Sequence, residues 1–166
     1  MSRLDSFLRR MNAQRTLLDA AADLIKDVDG PIVDLGIGNG RTFDHLCALF
    51  EGRHVFAFDH FVQSAVGVLP PAERLVIGDI RDTLPVALPR LGARAALIHN
   101  DLGSADPTGN AATAAWLAPA IESIARHNAV VVTSFPLPFS SFQALALPGT
   151  VRPGRYHLLR LTLPPH

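Results

Sequence analysis

The chain of 166 residues has one cysteine, one tyrosine and one tryptophan, and its formal net charge is zero. A lone thiol, Cys47, closes no intramolecular disulfide, and a reducing compartment is expected. It sits in the apolar stretch from Phe43 to Phe50, where a free cysteine acts as a small buried hydrophobe rather than a nucleophile. Fifteen basic residues balance fifteen acidic ones. That balance argues against a surface that coats nucleic acid, because such binding draws its affinity from neutralised phosphates. No apolar run reaches the ~20 residues of a membrane span. The charged stretch from Met1 to Arg15 lacks the apolar core and small-residue cleavage site of a secretory signal. The expectation is a cytoplasmic protein with no membrane and no nucleic-acid partner. No linker, repeat or low-complexity tract divides residues 1–166, which read as a single domain.

Hydrophobic residues make up 48% of the chain, and their spacing assigns elements. Leu4, Phe7, Leu8, Met11, Leu18, Ala21, Ala22 and Ile25 recur at three- and four-residue steps, the stripe of a helix over 4–26. Asp29-Gly30-Pro31 stops it. Short apolar runs then alternate with helical patterns. Strands are expected at 31–35, 54–58, 74–78, 94–99 and 129–135, and helices at 42–50, near 83–91 and at 110–126. Such alternation implies βαβ crossovers and a doubly wound, mostly parallel sheet. The segment from Arg155 to Leu163 reads as an antiparallel edge strand stopped by Pro164-Pro165.

The informative stretch is Val33-Asp34-Leu35-Gly36-Ile37-Gly38-Asn39-Gly40-Arg41. In an open α/β sheet, ligands sit outside the carboxyl ends of the strands. Glycine lets the main chain approach a ligand without a Cβ in the way. A dinucleotide site requires G-x-G-x-x-G, but Arg41 stands where its third glycine belongs. A carboxylate ahead of the loop also repels phosphates and favours a cationic or hydroxyl-bearing ligand.

Asp34-Leu35-Gly36-Ile37-Gly38-Asn39-Gly40 resembles the first motif of class I S-adenosylmethionine-dependent methyltransferases. The chain as a whole resembles a small bacterial family of that superfamily. The resemblance implies a Rossmann-like α/β fold, a doubly wound and mostly parallel seven-stranded sheet with an antiparallel last strand. It implies S-adenosyl-L-methionine as cofactor, with Gly36, Gly38, Asn39 and Gly40 around the nucleoside and methionine, and Asp34 on the cation side. Asp59 then receives the ribose hydroxyls, Asp79 and the backbone of Ile80 the adenine, and Asn100 lies among the cofactor contacts. Asp34, Asp59, Asp79 and Asn39 are also ordinary cap or turn residues.

His99 and Asp101 in His99-Asn100-Asp101-Leu102-Gly103 are the candidates for acid–base catalysis; the alternative is that they brace the strand-end loop. No metal is expected, because the fifth strand ends in Thr133-Ser134-Phe135 and a hard cation needs several oxygen ligands. Asn100 is followed by Asp101 and Leu102, so the Asn-Pro-Pro-aromatic tetrad of amino-methylating relatives is absent.

The implied reaction is direct methyl transfer to a small-molecule acceptor. A pocket for it can come from the N-terminal helix, the loop at 60–72 and the segment 135–154. Within residues 1–29, Arg10 and Gln14 stand one turn apart, as part of a lid or as a solvated face. Phe135 to Phe142 and the last strand suggest a homodimer or higher homo-oligomer surface. Two rival readings are a non-catalytic S-adenosylmethionine-binding module and an NAD-dependent oxidoreductase.

Overall fold

A computed structural model describes residues 2–62 and 67–163. The first helix, α1, spans Arg3–Leu24. It opens on a capping box: the Asp5 amide donates to Ser2 Oγ and the Ser2 amide to Asp5 Oδ2, each at 3.0 Å, which satisfies two of the free donors of a helix start. Leu17, Leu18, Ala21 and Ile25 are fully buried, whereas Leu4 and Leu8 are exposed. The apolar stripe therefore does two things: its second half packs on the sheet, and its first half runs past the strand ends. Arg53 closes the other end, donating to the carbonyls of Ile25 and Val28 at 3.1 and 2.7 Å.

β1 (Ile32–Leu35), β2 (Val55–Asp59), β3 (Leu75–Ile77), β4 (Ala95–Asn100) and β5 (Ala125–Thr133) form the parallel part of the sheet. β6 (Phe142–Ala144) and β7 (His157–Leu161) complete it in the order 3-2-1-4-5-7-6. β7 runs antiparallel to both β5 and β6. The expected antiparallel last strand is present, but it is interior, and the three-residue β6 takes the edge. Too short to show a period of two, β6 gave no sequence signal.

α2 (Arg41–Leu49) and α5 (Pro107–Ile124) follow β1 and β4. α5 starts three residues earlier than its apolar pattern, because Asp106 accepts from the amides of Thr108 and Gly109 and Pro107 takes the first helical position. The helix expected near 83–91 is two single turns, α3 (Ile80–Thr83) and α4 (Leu88–Leu91). Pro85 has no amide to continue the first.

Side chains alternate across the strands. Val33, Leu35 and Ile98 face α5, α3 and α4 in one core, while Ile32, Leu97 and Val130 face α1 and α2 in the other. Phe135, Leu137 and Phe142 are buried in the first core. Of the surface expected to join a second copy, Phe135, Phe142 and most of β7 are internal to the chain, while Pro136, Pro138 and Phe139 stay outside. Among the described residues, no helix is long and apolar enough to cross a membrane.

Candidate functional site

The site lies at the carboxyl ends of β1, β2 and β4. Gly36, Gly38 and Gly40 all have positive φ, at 87°, 51° and 82°. A Cβ built on Gly38 meets no atom within 4 Å, so the space above this turn is open, as a cradle for a ligand requires. Gly40 is the N-cap of α2 and contributes no side-chain cap, which leaves amides of its first turn facing outward. Asp59 fixes the loop: its Oδ2 accepts from the Gly38 amide at 3.1 Å and its Oδ1 from the His60 amide at 2.7 Å.

Beneath the loop lies a buried polar chain. Asp34 and His99 are register partners on β1 and β4 and point to the α1 face. Both are fully inaccessible. His99 Nδ1 lies 2.7 Å from Asp34 Oδ1, and its Nε2 lies 2.9 Å from Gln14 Nε2 on α1. With the Gln14 amide oriented this way, its NH2 donates to Nε2, so Nδ1 carries the ring proton and donates to Asp34. Asp34 Oδ2 has no partner among the described residues. Burial holds the Asp34 carboxyl above its ordinary range, and the His99 hydrogen bond only partly offsets this. A carboxylate in this state is deficient in positive charge.

His99 was a candidate for catalysis, but its ring has no open face and both nitrogens are occupied. It links Asp34 on β1 to Gln14 on α1. Asn100 is buried too: its Nδ2 donates to Thr133 Oγ1 at 2.8 Å and its Oδ1 accepts from the Leu102 amide at 3.1 Å. Its side chain braces the strand-end loop, and its carbonyl accepts from the Ser134 amide at 3.0 Å. Asn39 is exposed and accepts from the Arg41 amide at 3.4 Å, a long local contact. Asp79 caps α3 through the Arg81 amide at 2.9 Å and lies 3.9 Å from His60 Nε2; Ile80 is buried below it.

Asp101 is different. Its amide donates to the Leu35 carbonyl at 3.1 Å, which ties it to the glycine loop, while its side chain lines a cavity of about 610 Å3. Tyr156 donates its hydroxyl to Asp101 Oδ1 at 2.6 Å, and Arg10 lies 3.5 Å from Oδ2. The Tyr156 hydroxyl is pushed far above its ordinary range, first by burial and then by the Asp101 charge. The remaining walls include Asn110, Phe135 and Phe139. This mixture of apolar surface and few polar groups suits a small organic ligand.

On α1, Phe7, Arg10 and Gln14 share one face. Phe7 lies under the Arg41 guanidinium, 5.9 Å from its ring centroid, and the other two meet Asp101 and His99. Gln14 is 5% exposed, so it packs into the interior, while Arg10 one turn earlier is 42% exposed. Sequence reading missed Tyr156 and Asn110. The chain's one tyrosine, placed at the head of the last strand, was the available signal. Within the loop at 60–72, residues 63–66 lie outside the described residues, as does the Pro164-Pro165 stop. Among the described residues, no three His, Cys, Asp or Glu side chains group to hold a metal ion.

Residues 1–161 match the family described as S-adenosyl-L-methionine methyltransferase. No curated protein matches the chain. Among solved structures, the S-adenosyl-L-methionine methyl transferase from Silicibacter pomeroyi DSS-3 has a TM-score of 0.88 at 38% identity, covering 97% of this chain and 99% of that one. Cofactor-bound Rv0187 from MTB has a TM-score of 0.58 at 18% identity, over 90% and 78% of the two chains. The plantazolicin methyltransferase BpumL in complex with SAH has a TM-score of 0.51 at 15% identity, over 75% and 46%. At such identities these last two share the fold and nothing finer.

Proposed function

The chain belongs to the S-adenosyl-L-methionine methyltransferase family, and on that premise we propose that it methylates a small acceptor held in the cavity beside Asp101. The nicotinamide reading falls with that membership. The observation that carries the proposal is the position of Asp101, whose backbone is bonded to the end of β1 and whose carboxylate lines the cavity. The cofactor loop and the acceptor cavity therefore meet at one residue.

When bound, S-adenosylmethionine supplies a methyl group on a sulfonium that departs as a neutral thioether. The chain's residues have five tasks. Gly36, Gly38 and Gly40 admit the ligand to the main chain, and the open space at Gly38 fits that task. Asp34 sets a buried negative charge beneath the glycine loop, toward the cationic side, and His99 and Gln14 hold it there. Asp59 takes the ribose hydroxyls while keeping Gly38 in place. Asp79 and the backbone of Ile80 meet the adenine. Asp101 orients the acceptor and receives its proton where the nucleophile is a hydroxyl or amine, with Tyr156 and Arg10 fixing the carboxylate. Alignment of nucleophile and methyl supplies much of the acceleration, about 7–11 kcal/mol in well-oriented systems.

Residues 3–24 act as a lid, a reading supported by the three contacts of Phe7, Arg10 and Gln14. The lone Cys47 supports a cytoplasmic location, and the exposed Leu4 and Leu8 supply apolar surface for a homodimer. Calorimetric titration with S-adenosylmethionine and S-adenosylhomocysteine tests the first half of the proposal. Formation of S-adenosylhomocysteine from a fractionated metabolite extract tests the second. Micromolar binding with no turnover on any fraction would leave a binding module and refute methyl transfer.

A further inference from the structure

Beside the acceptor cavity is a second cavity, of about 450 Å3, between α1 and the turn at 150–155. Arg9, Arg15, Arg152 and Arg155 line it, together with Asn12 and Thr150, and no carboxylate does. Four of the chain's fifteen Lys and Arg thus surround one small space in a protein of zero net charge.

Seven of the other ten arginines have polar partners, while the side chains of Arg3, Arg41 and Arg81 have neither a hydrogen bond nor an ion pair among the described residues. Arg53, Arg90, Arg94, Arg126 and Arg160 each donate to backbone carbonyls. Arg10 and Arg74 lie against Asp101 and Glu73. None of the four arginines in the cavity has a carboxylate within 4 Å among the described residues. Arg9 donates through Nε to the Asp5 carbonyl at 3.3 Å, and Arg155 through one nitrogen to Ser6 Oγ at 3.0 Å. Arg15 and Arg152 have no hydrogen-bond partner there, and one terminal nitrogen of Arg9 is shielded from water without a partner.

Guanidinium groups present planar forks that match oxyanions bidentately. A concave surface of one sign concentrates its field on an incoming counter-charge. Four like charges also repel one another until an anion relieves them. Arg155 lines this cavity and the acceptor cavity alike, and Arg9 is the chain neighbour of Arg10 at the acceptor cavity's wall.

We propose that the arginine cavity is a binding site for a multiply charged oxyanion of the phosphoryl class, and that through Arg155 it anchors the charged end of the methyl acceptor. The second half rests on the methyl-transfer reading; the first does not. The test is calorimetric titration of the full chain with inorganic pyrophosphate at low ionic strength, against the double variant Arg15→Gln/Arg152→Gln. Both positions are exposed, so the core is unaltered, and S-adenosylhomocysteine affinity serves as the folding control. Saturable one-to-one binding that weakens at least tenfold in the double variant, with the control unchanged, is the expected result. No saturable binding to the unaltered chain, or equal binding to both, overturns the site. Pyrophosphate is also expected to inhibit extract-dependent S-adenosylhomocysteine formation, and phosphatase treatment of the extract to abolish it. Unaffected turnover in either case overturns the anchoring of the acceptor while the titration still decides the site. Failure of the unaltered chain to bind S-adenosylhomocysteine would count against the cofactor reading alone.

Discussion

Asp34→Asn is the substitution that most directly separates a functional buried charge from a structural one. Asparagine has the same shape, and its Oδ1 still accepts from His99 Nδ1, so the link between β1 and β4 survives. What is lost is the negative charge on a fully inaccessible group whose second oxygen has no partner. If that oxygen serves the cationic side of the cofactor, the loss is that of a hydrogen bond to a charged group, about 1.5–3 kcal/mol, or roughly 10- to 150-fold in Kd.

The proton linkage has a definite sign. Burial raises the Asp34 carboxyl above its ordinary value, so at pH values below the raised one, binding of the cation displaces a proton. Affinity should then rise about tenfold per pH unit below the raised value and level off above it. The asparagine variant lacks this slope, and comparison with it subtracts the titration of the ligand's own amine. Stability moves the opposite way. A carboxyl with a raised folded value stabilises fully below about 3.9, its unfolded value, and this contribution disappears as pH rises through the folded value. Asp34→Asn should therefore gain in melting temperature over the wild type as pH increases from about 3.9 through the raised folded value and level off above it. The assay is calorimetry with S-adenosylhomocysteine in two buffers of different ionisation enthalpy, which counts released protons. Equal Kd for both proteins, or no proton release from the wild type, would refute the reasoning.

Gly38→Ala places a side chain at φ 51° in open space. It should cost about 1–2 kcal/mol of stability and a larger share of cofactor affinity, and equal affinity would remove this turn from the site. Asp59→Ala should weaken cofactor binding by about 1–3 kcal/mol, because it frees both the Gly38 and His60 amides along with the proposed ribose contact; an unchanged Kd would leave Asp59 as a turn residue. Gln14→Ala strands His99 Nε2 in the core at about 1–3 kcal/mol, a drop of about 2–4 °C in Tm per kcal/mol. No change in Tm would mean that α1 is not held there. Tyr156 is the chain's only tyrosine, so tyrosinate absorbance reports on it alone. Since its hydroxyl is held far above the ordinary value of about 10, the signal should appear only as the protein unfolds at high pH. A native-state step near 10 would show that the Asp101 contact is absent.

Parallel strands and the glycine loop were legible because their signals are local: buried apolar runs, and a spacing of glycines that only a close backbone approach requires. The order of Asp34, Asp59 and Asp79 at successive strand ends was legible for the same reason. Contacts made across long sequence separations were not. Gln14 and His99 are 85 residues apart, and Tyr156 and Asp101 are 55 apart. Nothing in either segment states that its partner exists, so His99 read as a free base near a strand end. β6 and the split of residues 80–91 escaped because three residues carry no period and a proline interrupts the other pattern.

The position of β7 between β5 and β6 also bears on how the chain is made. Val130, Val131, Val132 and Thr133 pair on one side with β4 and on the other with residues 157–160. During synthesis, the outer edge of this β-branched strand has no hydrogen-bonding partner until residues 157–160 have left the ribosome. Every nascent chain therefore passes through an interval in which this edge is open, and that interval is when a holding chaperone would matter most.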